Sequence, residues 1–372
     1  MTTNKTTIPK TRNSAMEAMR ILAMLIVVLS HCVVHGGFPQ EPSGFFLNNF
    51  FLDWLTIGNV GLVLYLITSG YFLSTKTFRP ISVCKLLVQV WFYSLLGYGI
   101  HLLCGYGFDS QHLRTVLLPT LHKSYWFFTA YFVILWLSPY LNLFVEQASR
   151  KQLLTCITTM VVLWIVIYSL NRQVMYAAAM DMYSDTVPQF VLFYLIGAYF
   201  RKYPDNWFSV PRNRYLLTLG SFLLLELLVG IYRWKNLWAS RDEIIILFQT
   251  RTFLLTVGTA VGLFAIAANW KPFFSRAVNL VASCTFGVYL LHDNPFVRSI
   301  LWLDWVQNYQ WYHSGYLIFR VGLSVVLVFT VCCVVEWLRQ KTLAGPMTRA
   351  AEKIFSVLTS LLSRTPLGKL WE

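Results

Sequence analysis

The sequence predicts an all-α, polytopic membrane protein with about ten transmembrane helices and both termini in the cytoplasm. Hydrophobic residues make up 56% of the 372 positions and charged residues only 12%, about half the charged fraction of soluble domains. The mean hydropathy is +0.55. Apolar runs close to the roughly 20 residues that a helix needs to cross a bilayer recur along the whole chain. This composition leaves too little polar surface for a soluble protein.

Ten apolar stretches give the predicted number of spans, and each has the length or the flanking residues of a membrane helix. They are residues 18–35, 54–74, 83–104, 125–144, 152–170, 187–200, 214–231, 245–268, 277–292 and 315–338. The sixth and ninth are the shortest. A further, interfacial helix is predicted at 300–311.

Lys and Arg residues predict the orientation. With the N-terminus in the cytoplasm, the inside segments hold 21 of them and the outside segments hold 7. The net charge of +14 therefore reflects basic cytoplasmic loops, since no nucleic-acid-binding motif accompanies it. We predict a cytoplasmic N-terminal segment at 1–17, a membrane domain at 18–338 and a basic cytoplasmic tail at 339–372, with a helical apolar pattern in the tail.

The seven cysteines predict neither a zinc site nor a disulfide framework. All of them lie inside or at the edge of apolar stretches, where a thiol behaves as a small apolar group. No resident metal is expected.

Five ionisable side chains lie within or at the ends of predicted spans, all in the outer half of the bilayer. They are His31, Glu226, Arg251, His292 and Arg320. Charged groups at such depth cost about 2.5–3.5 kcal/mol each at a helix centre and usually serve a function. Their shared depth predicts one polar catalytic cavity open to the outside. The alternative is a set of interhelical salt bridges, for instance Glu226 with Arg251 or Arg320.

The first span, RILAMLIVVLSH, has a cation at one end and an imidazole at the other. Arg20 and His31 are eleven residues apart, about three turns and 16 Å, so they share one helix face. Glu17, three residues before Arg20, is placed to orient it. This face would join a cytoplasmic anion site to a deep base. A rival interpretation makes His31 and His35 metal ligands, but no carboxylate stands beside them in the sequence.

Arg-x10-His in a first transmembrane helix resembles the signature of the acyltransferase-3 family of integral membrane acyltransferases. Four later segments resemble that family in the expected order: LYLITSGYFLS (64–74), YWFFTAYFVILWLSP (125–139), FVLFYLIGAYFRK (190–202) and SCTFGVYLLHDNP (283–295). The resemblance covers roughly residues 18–300 and implies a ten-helix membrane domain.

The resemblance implies an O-acyltransferase of a bacterial plasma membrane. It would move an acyl group, commonly acetyl, from cytoplasmic acyl-CoA to a hydroxyl of a cell-surface or lipid-linked polysaccharide sugar. Acetyl-CoA would be a co-substrate, with no permanently bound cofactor. His31 matches the catalytic histidine and Arg20 the donor-side arginine. Lys76-Thr77-Phe78-Arg79 matches the family's basic-x-x-basic pair, with Lys in place of Arg.

The remaining roles follow from charge and position. We predict that the donor's phosphates bind Arg20, Lys76, Arg79 and Lys85, and that the acceptor sugar packs on Trp126 and Tyr131. Arg251 or Arg320 would stabilise the oxyanion, and Glu226 would hold His31 or an arginine in place. His292 would assist the base or close the cavity. Trp302 is interpreted as an interfacial belt residue.

The opposing functional class is transport. A flippase or proton-coupled transporter for an anionic glycolipid would share a buried cluster of Arg, Glu and His. It would not need a cytoplasmic arginine aligned with a deep histidine. The sequence also lacks paired Gly- or Pro-broken helices in two halves, which inverted-repeat transporters often have.

Overall fold

The computed structural model describes residues 13–39, 46–120, 125–170 and 186–363, and this part of the chain is helical, with no strand. The helices are α1 (Ser14–Val34), α2 (Phe46–Leu55), α3 (Gly58–Leu73), α4 (Pro80–Leu103), α5 (Ser110–Leu117), α6 (Trp126–Gln147), α7 (Arg150–Val161), α8 (Ile167–Leu170), α9 (Thr186–Lys202), α10 (Pro211–Lys235), α11 (Arg241–Phe248), α12 (Leu254–Ala268), α13 (Arg276–His292), α14 (Leu317–Thr342) and α15 (Ala344–Ser363). A π-helical turn joins α7 to α8.

Every predicted span contains one of these helices, so the all-α prediction is confirmed. Six helical segments of the described chain are long and apolar enough to cross a membrane: Ser14–Val34, Leu47–Leu73, Pro80–Leu103, Trp126–Gln147, Pro211–Lys235 and Leu317–Thr342. The shorter α12 is also apolar. The protein is therefore a multi-pass membrane protein, and length and composition in the described residues support six of its ten predicted spans.

The ends of the chain differ in detail from the prediction. Helix α1 begins at Ser14, inside the predicted N-terminal segment, because the Asn13 side chain accepts a hydrogen bond from the amide of Ala15 and caps the first turn. Residues 1–12 lie outside the described residues. The predicted tail helix is α15, which packs on α4.

The segment predicted as an interfacial helix at 300–311 is instead a π-helical turn, Ile300–Val306, followed by a 3-10 turn, Asn308–Trp311. Trp302 is fully buried there, so the interfacial interpretation of this residue is wrong. Trp302 packs inside the helix bundle, whereas its neighbours Leu303 and Trp305 are exposed.

Helix α1 runs parallel to α13 through the centre of the bundle. The hydroxyl of Ser14 accepts a hydrogen bond from the amide of Ser275 at 2.8 Å, and at the other end the His31 ring lies 3.0 Å from the His292 ring. Each of these pairs is 261 residues apart in the chain. Equal separation at both ends means that the two helices are in register, which brings the two histidines to one level.

Helices α3 and α9 approach each other backbone to backbone. A Cβ added at Gly70 would meet the carbonyl of Tyr194, and one added at Gly197 would meet the carbonyl of Ile67 and the amide of Tyr71. Small residues allow this close contact between membrane helices.

We expect Gly197→Ala to destabilise the protein by about 1–3 kcal/mol, because its methyl group meets backbone atoms that have no room to move. Gly220→Ala is the matched control, since its Cβ meets nothing within 4 Å and alanine favours the helix. Melting temperatures in detergent compare the two. Equal melting temperatures would show that α3 and α9 separate easily.

A buried ion cluster fixes the short helix α11 to α2 and α10. The fully buried Asp53 carboxylate lies 2.6 Å from Arg233 Nε and 3.4 Å from Arg241 Nε. Arg241 also donates to the Asn49 side chain at 2.8 Å. Gln249, just after α11, donates to the Asp53 carbonyl at 2.7 Å. These contacts hold α11 across one end of the bundle.

Candidate active site

A cavity of about 430 Å³ runs along one face of α1. Its α1 lining residues are Ala23, Met24, Val27, Ser30, His31 and Val34, which repeat every three to four positions as one helix face requires. These residues extend about 16 Å along the helix axis. Arg20 lies one turn before the first of them, and His31 lies near the far end.

Aromatic and apolar side chains form most of the other walls. They are Leu62 and Tyr65 of α3, Trp126 and Phe127 of α6, Ile245 and Ile246 of α11, and Phe286 and Tyr289 of α13. Polar groups occur in few places: Thr56 and Asn59 lie near the start of α3, and Asp242 of α11 lies at the same end as His31. Such a lining suits a ligand that is held by packing and oriented by a few polar groups.

His31 and His292 form a hydrogen-bonded pair whose tautomers follow from their partners. His292 Nδ1 lies 2.6 Å from the carbonyl oxygen of Val288, so Nδ1 carries the proton and donates it there. Neutral His292 therefore accepts at Nε2, where His31 Nδ1 donates at 3.0 Å. This arrangement leaves Nε2 of His31 with a lone pair at the cavity wall, the form that a general base requires.

Asp293 places a carboxylate beside this pair. Its Oδ1 lies 3.6 Å from His31 Nδ1 and 2.8 Å from Arg298 Nη2. Arg298 also donates to the backbone carbonyl of Asp293 at 3.2 Å. Only 4% of the Asp293 side chain is exposed, so its charge acts on His31 with little screening by water.

Asn294 fixes the turn that carries His292 and Asp293. Its side-chain amide donates to the carbonyl of Tyr93 at 2.9 Å and to the hydroxyl of Tyr125 at 2.7 Å. Tyr125 in turn donates to the carbonyl of Leu290 at 3.0 Å. All of these atoms are buried, so the end of α13 is held to α4 and to the start of α6.

Arg20 is oriented at the opposite end of the cavity. Its Nη1 donates to Glu17 Oε2 at 3.1 Å, as the sequence predicted, and its guanidinium lies 5.8 Å from the centre of the Tyr65 ring. Tyr65 itself lines the cavity. Tyr131, predicted to hold the acceptor sugar, stacks on the cavity-lining Phe127 with ring centres 5.9 Å apart but does not itself line the cavity.

Fewer than five of the predicted ionisable groups lie at the cavity. Arg251 adjoins it, because its guanidinium lies 5.3 Å from the centre of the Trp126 ring and its Nε donates to Gln189 at 2.7 Å. Arg320 instead packs on Trp311, and Glu226 is buried elsewhere with no hydrogen-bond partner for its carboxylate among the described residues. Side chains at one depth along their helix axes can still point to different parts of the bundle.

The alternative salt bridges are likewise not found: Glu226 pairs with neither Arg251 nor Arg320 in the described chain. The metal interpretation needs one correction. The structure supplies the carboxylate that the sequence did not show, since ligand atoms of His31, His35 and Asp293 lie within 4.8 Å of one another. The Arg298 guanidinium already provides a cation for Asp293, so this geometry is explained without a metal ion.

The other predicted basic residues lie at the Arg20 end of the bundle. Lys76 and Arg79 line a cavity of about 420 Å³ beside the start of α4. Lys76 also lines a neighbouring cavity of about 470 Å³. Lys85 is separate from both, because its ammonium lies 3.9 Å from Glu352 of α15.

Comparison with protein families finds one that accounts for this architecture. The model of the acyltransferase-3 family, described as an acyltransferase domain, matches residues 13–337. The chain belongs to the acyltransferase-3 family. Searches of curated proteins and of solved structures find no match. The resemblance drawn from Arg-x10-His and the later segments is thus confirmed over nearly the whole chain.

Sequence reasoning missed two groups of this acyltransferase-3 site. Asp293 and Arg298 follow His292 in the quoted segment and the loop after it, but neither was assigned a role. The signal available was the polar run His-Asp-Asn at the end of an apolar helix, which indicates a fixed turn. Its contact with His31, 262 residues away, depends on the parallel packing of α1 and α13.

Proposed function

We propose that this acyltransferase-3 protein is a plasma-membrane O-acyltransferase that moves an acyl group, in the first instance acetyl, from cytoplasmic acyl-CoA to a sugar hydroxyl of a cell-surface or lipid-linked polysaccharide. One observation carries the proposal: the cavity follows the α1 face from one turn beyond Arg20 to His31. In this orientation both chain termini are cytoplasmic, and the two ends of the cavity serve donor and acceptor.

The donor enters from the Arg20 end. Arg20, Lys76 and Arg79 supply positive charge for phosphates, whereas the cavity along α1 is apolar and suits the thin pantetheine arm. Lys85 belongs less well to this group, since it pairs with the tail helix. The thioester would reach His31 by lying along the α1 face.

His31 Nε2 removes the proton of the acceptor hydroxyl as the hydroxyl oxygen attacks the thioester carbonyl. The carbon–sulfur bond then breaks, and the proton passes from His31 to the departing CoA thiolate. While His31 is protonated, Asp293 stabilises the imidazolium at 3.6 Å and His292 accepts from its Nδ1. A transient acyl-histidine on the same nitrogen is the covalent variant of this step.

Arg251 is the better placed of the two predicted oxyanion groups, because it adjoins the cavity wall at Trp126 whereas Arg320 packs on Trp311. The acceptor enters at the His31 end. Trp126 offers a flat aromatic face there, and Asp242 offers a carboxylate for sugar hydroxyls.

A CoA-release assay with purified protein tests the proposed function directly. The protein should release free CoA from acetyl-CoA only when a glycan acceptor is added, and mass spectrometry should find the glycan acetylated. Thioester cleavage that never depends on an acceptor would contradict the proposed transfer. Movement of a glycolipid across vesicles with no thioester cleavage would favour the transporter instead.

We expect Asp293→Asn to lower kcat by about tenfold, because the neutral amide no longer stabilises the protonated His31. The effect should shrink as the acceptor hydroxyl becomes more acidic, since less proton transfer is then needed. Kinetics with acceptors of graded acidity measure this. Asp304→Asn, in the turn after α13, is the control and should leave kcat unchanged.

A further inference from the structure

The second cavity at the Arg20 end, of about 470 Å³, contributes only Lys76 to the steps above. It lies between the ends of α3, α6 and α9, and its lining residues are Ser74, Thr75, Lys76, Thr77, Asn142, Val145, Glu146, Ala198, Arg201 and Lys202. Three of these side chains are basic, one is acidic, and three are hydroxyls. It shares Lys76 and Thr77 with the cavity that contains Arg79, so the two adjoin.

The two neighbouring cations of this cavity differ in how fully they are used. Lys202 donates to three carbonyls at the end of α6, those of Val145, Glu146 and Ala148, at 2.6, 3.0 and 2.8 Å. All three of its protons are therefore committed to closing that helix. Lys202 offsets the negative charge of the α6 carboxyl end rather than serving a ligand.

Arg201 has a single hydrogen bond in the described chain. Its Nη1 donates to the Tyr71 hydroxyl at 3.1 Å, and its guanidinium lies 5.0 Å from the centre of the Tyr71 ring. Among the described residues, Nε and Nη2 of Arg201 have no hydrogen-bond acceptor. The glycine contact between α3 and α9 produces this arrangement, since Tyr71 follows Gly70 and Arg201 lies one turn after Gly197. The Arg201 guanidinium is thus held in place before any ligand binds.

We propose that Arg201 and Lys76 bind a phosphate of the donor's nucleotide in this cavity, and that Arg201 gives the enzyme its preference for a nucleotide-bearing thioester. The inference rests on the proposed function. A guanidinium fixed on one side by a tyrosine presents parallel donors that match two phosphate oxygens. Along α3, Tyr71 lies six residues beyond Tyr65, so the ring that holds Arg201 is about 9 Å further along the helix axis from the His31 end than the ring that holds Arg20.

The experiment measures binding of two probes, CoA and adenosine bisphosphate, to the detergent-solubilised full chain by calorimetry. Arg201→Gln should weaken both by about tenfold, and Arg201→Lys by less, because the charge remains without the fork. Arg150→Gln is the matched control: Arg150 lies at the same end of the bundle, is paired with Asp205 at 3.1 Å and lies outside this cavity. It should leave binding unchanged.

Turnover supplies the second readout. Arg201→Gln should lower kcat/KM for acetyl-CoA by about tenfold and leave kcat/KM for acetyl-pantetheine, which has no nucleotide, unchanged. A lower melting temperature with unaltered probe binding would overturn the inference and make Arg201 a structural residue. Wild-type protein that binds neither probe would overturn the donor assignment as well, whereas wild-type binding matched by Arg201→Gln overturns this inference alone.

Discussion

His31→Gln should reduce acyl transfer by about 10³-fold while the protein still inserts, folds and binds its donor. The side chain keeps nearly the same reach and can still donate toward His292, but it has no nitrogen lone pair for a hydroxyl proton. The loss should fall on kcat rather than on KM for acyl-CoA, since the proposed phosphate site begins at Arg20, about 16 Å away along α1.

The expected size of this effect depends on the hydrogen-bonded pair. Because His292 Nδ1 is committed to the Val288 carbonyl, His292 itself accepts from His31 and has no lone pair to spare for substrate. His292 therefore cannot replace His31 as the base, and the residual activity should be small.

His313→Gln provides the matched control. His313 is exposed, lies just before α14 and does not line the cavity, so its transfer rate should equal that of the wild type. Donor binding by calorimetry and the melting temperature check that the His31 variant is folded. A folded His31→Gln protein that acetylates glycan at the normal rate would remove this residue from the mechanism.

The α1 face was predictable from sequence because it depends on one helix alone. Arg20 and His31 are separated by a whole number of turns, so their shared face follows from helix geometry, and Glu17 lies within reach of Arg20 for the same reason. The helical class was equally predictable, because a bilayer leaves backbone groups few other ways to pair.

Contacts between distant helices were not predictable from one sequence. The depth of Glu226 and Arg320 could be counted along their helices, but the direction of each side chain depends on how α10 and α14 pack. The same limit concealed Asp293, whose contact with His31 needs α1 and α13 to be parallel and in register. The predicted set of five charges therefore included two, Glu226 and Arg320, that do not line the cavity.

Asp53→Asn should destabilise the protein by about 3–5 kcal/mol, the largest stability effect expected of a single substitution here. The carboxylate is fully buried between Arg233 and Arg241, of whose side chains 2% and 5% are exposed. Removing its charge takes the carboxylate they share from two buried cations. The loss should appear as a large fall in melting temperature and in folded yield.

Asp205→Asn is the control for this change, because it removes an ion pair at an exposed site. Asp205 lies 3.1 Å from Arg150 with 76% of its side chain exposed, so the cost should be about 0–1 kcal/mol. Equal falls in melting temperature for the two variants would mean that water reaches the Asp53 cluster.

A second substitution tests whether the loss of stability comes from the buried positive charge rather than from a change in side-chain packing. Adding Arg233→Met to Asp53→Asn should restore part of the lost stability, because it removes one of the two buried cations that lost the Asp53 carboxylate and leaves an apolar stem of similar length. The same ion cluster holds α11 in place. Residues Asp242, Ile245 and Ile246 of α11 line the His31 end of the cavity. Folded Asp53→Asn protein should therefore show a raised KM for the glycan acceptor and an unchanged affinity for CoA, since the proposed donor site is at the opposite end.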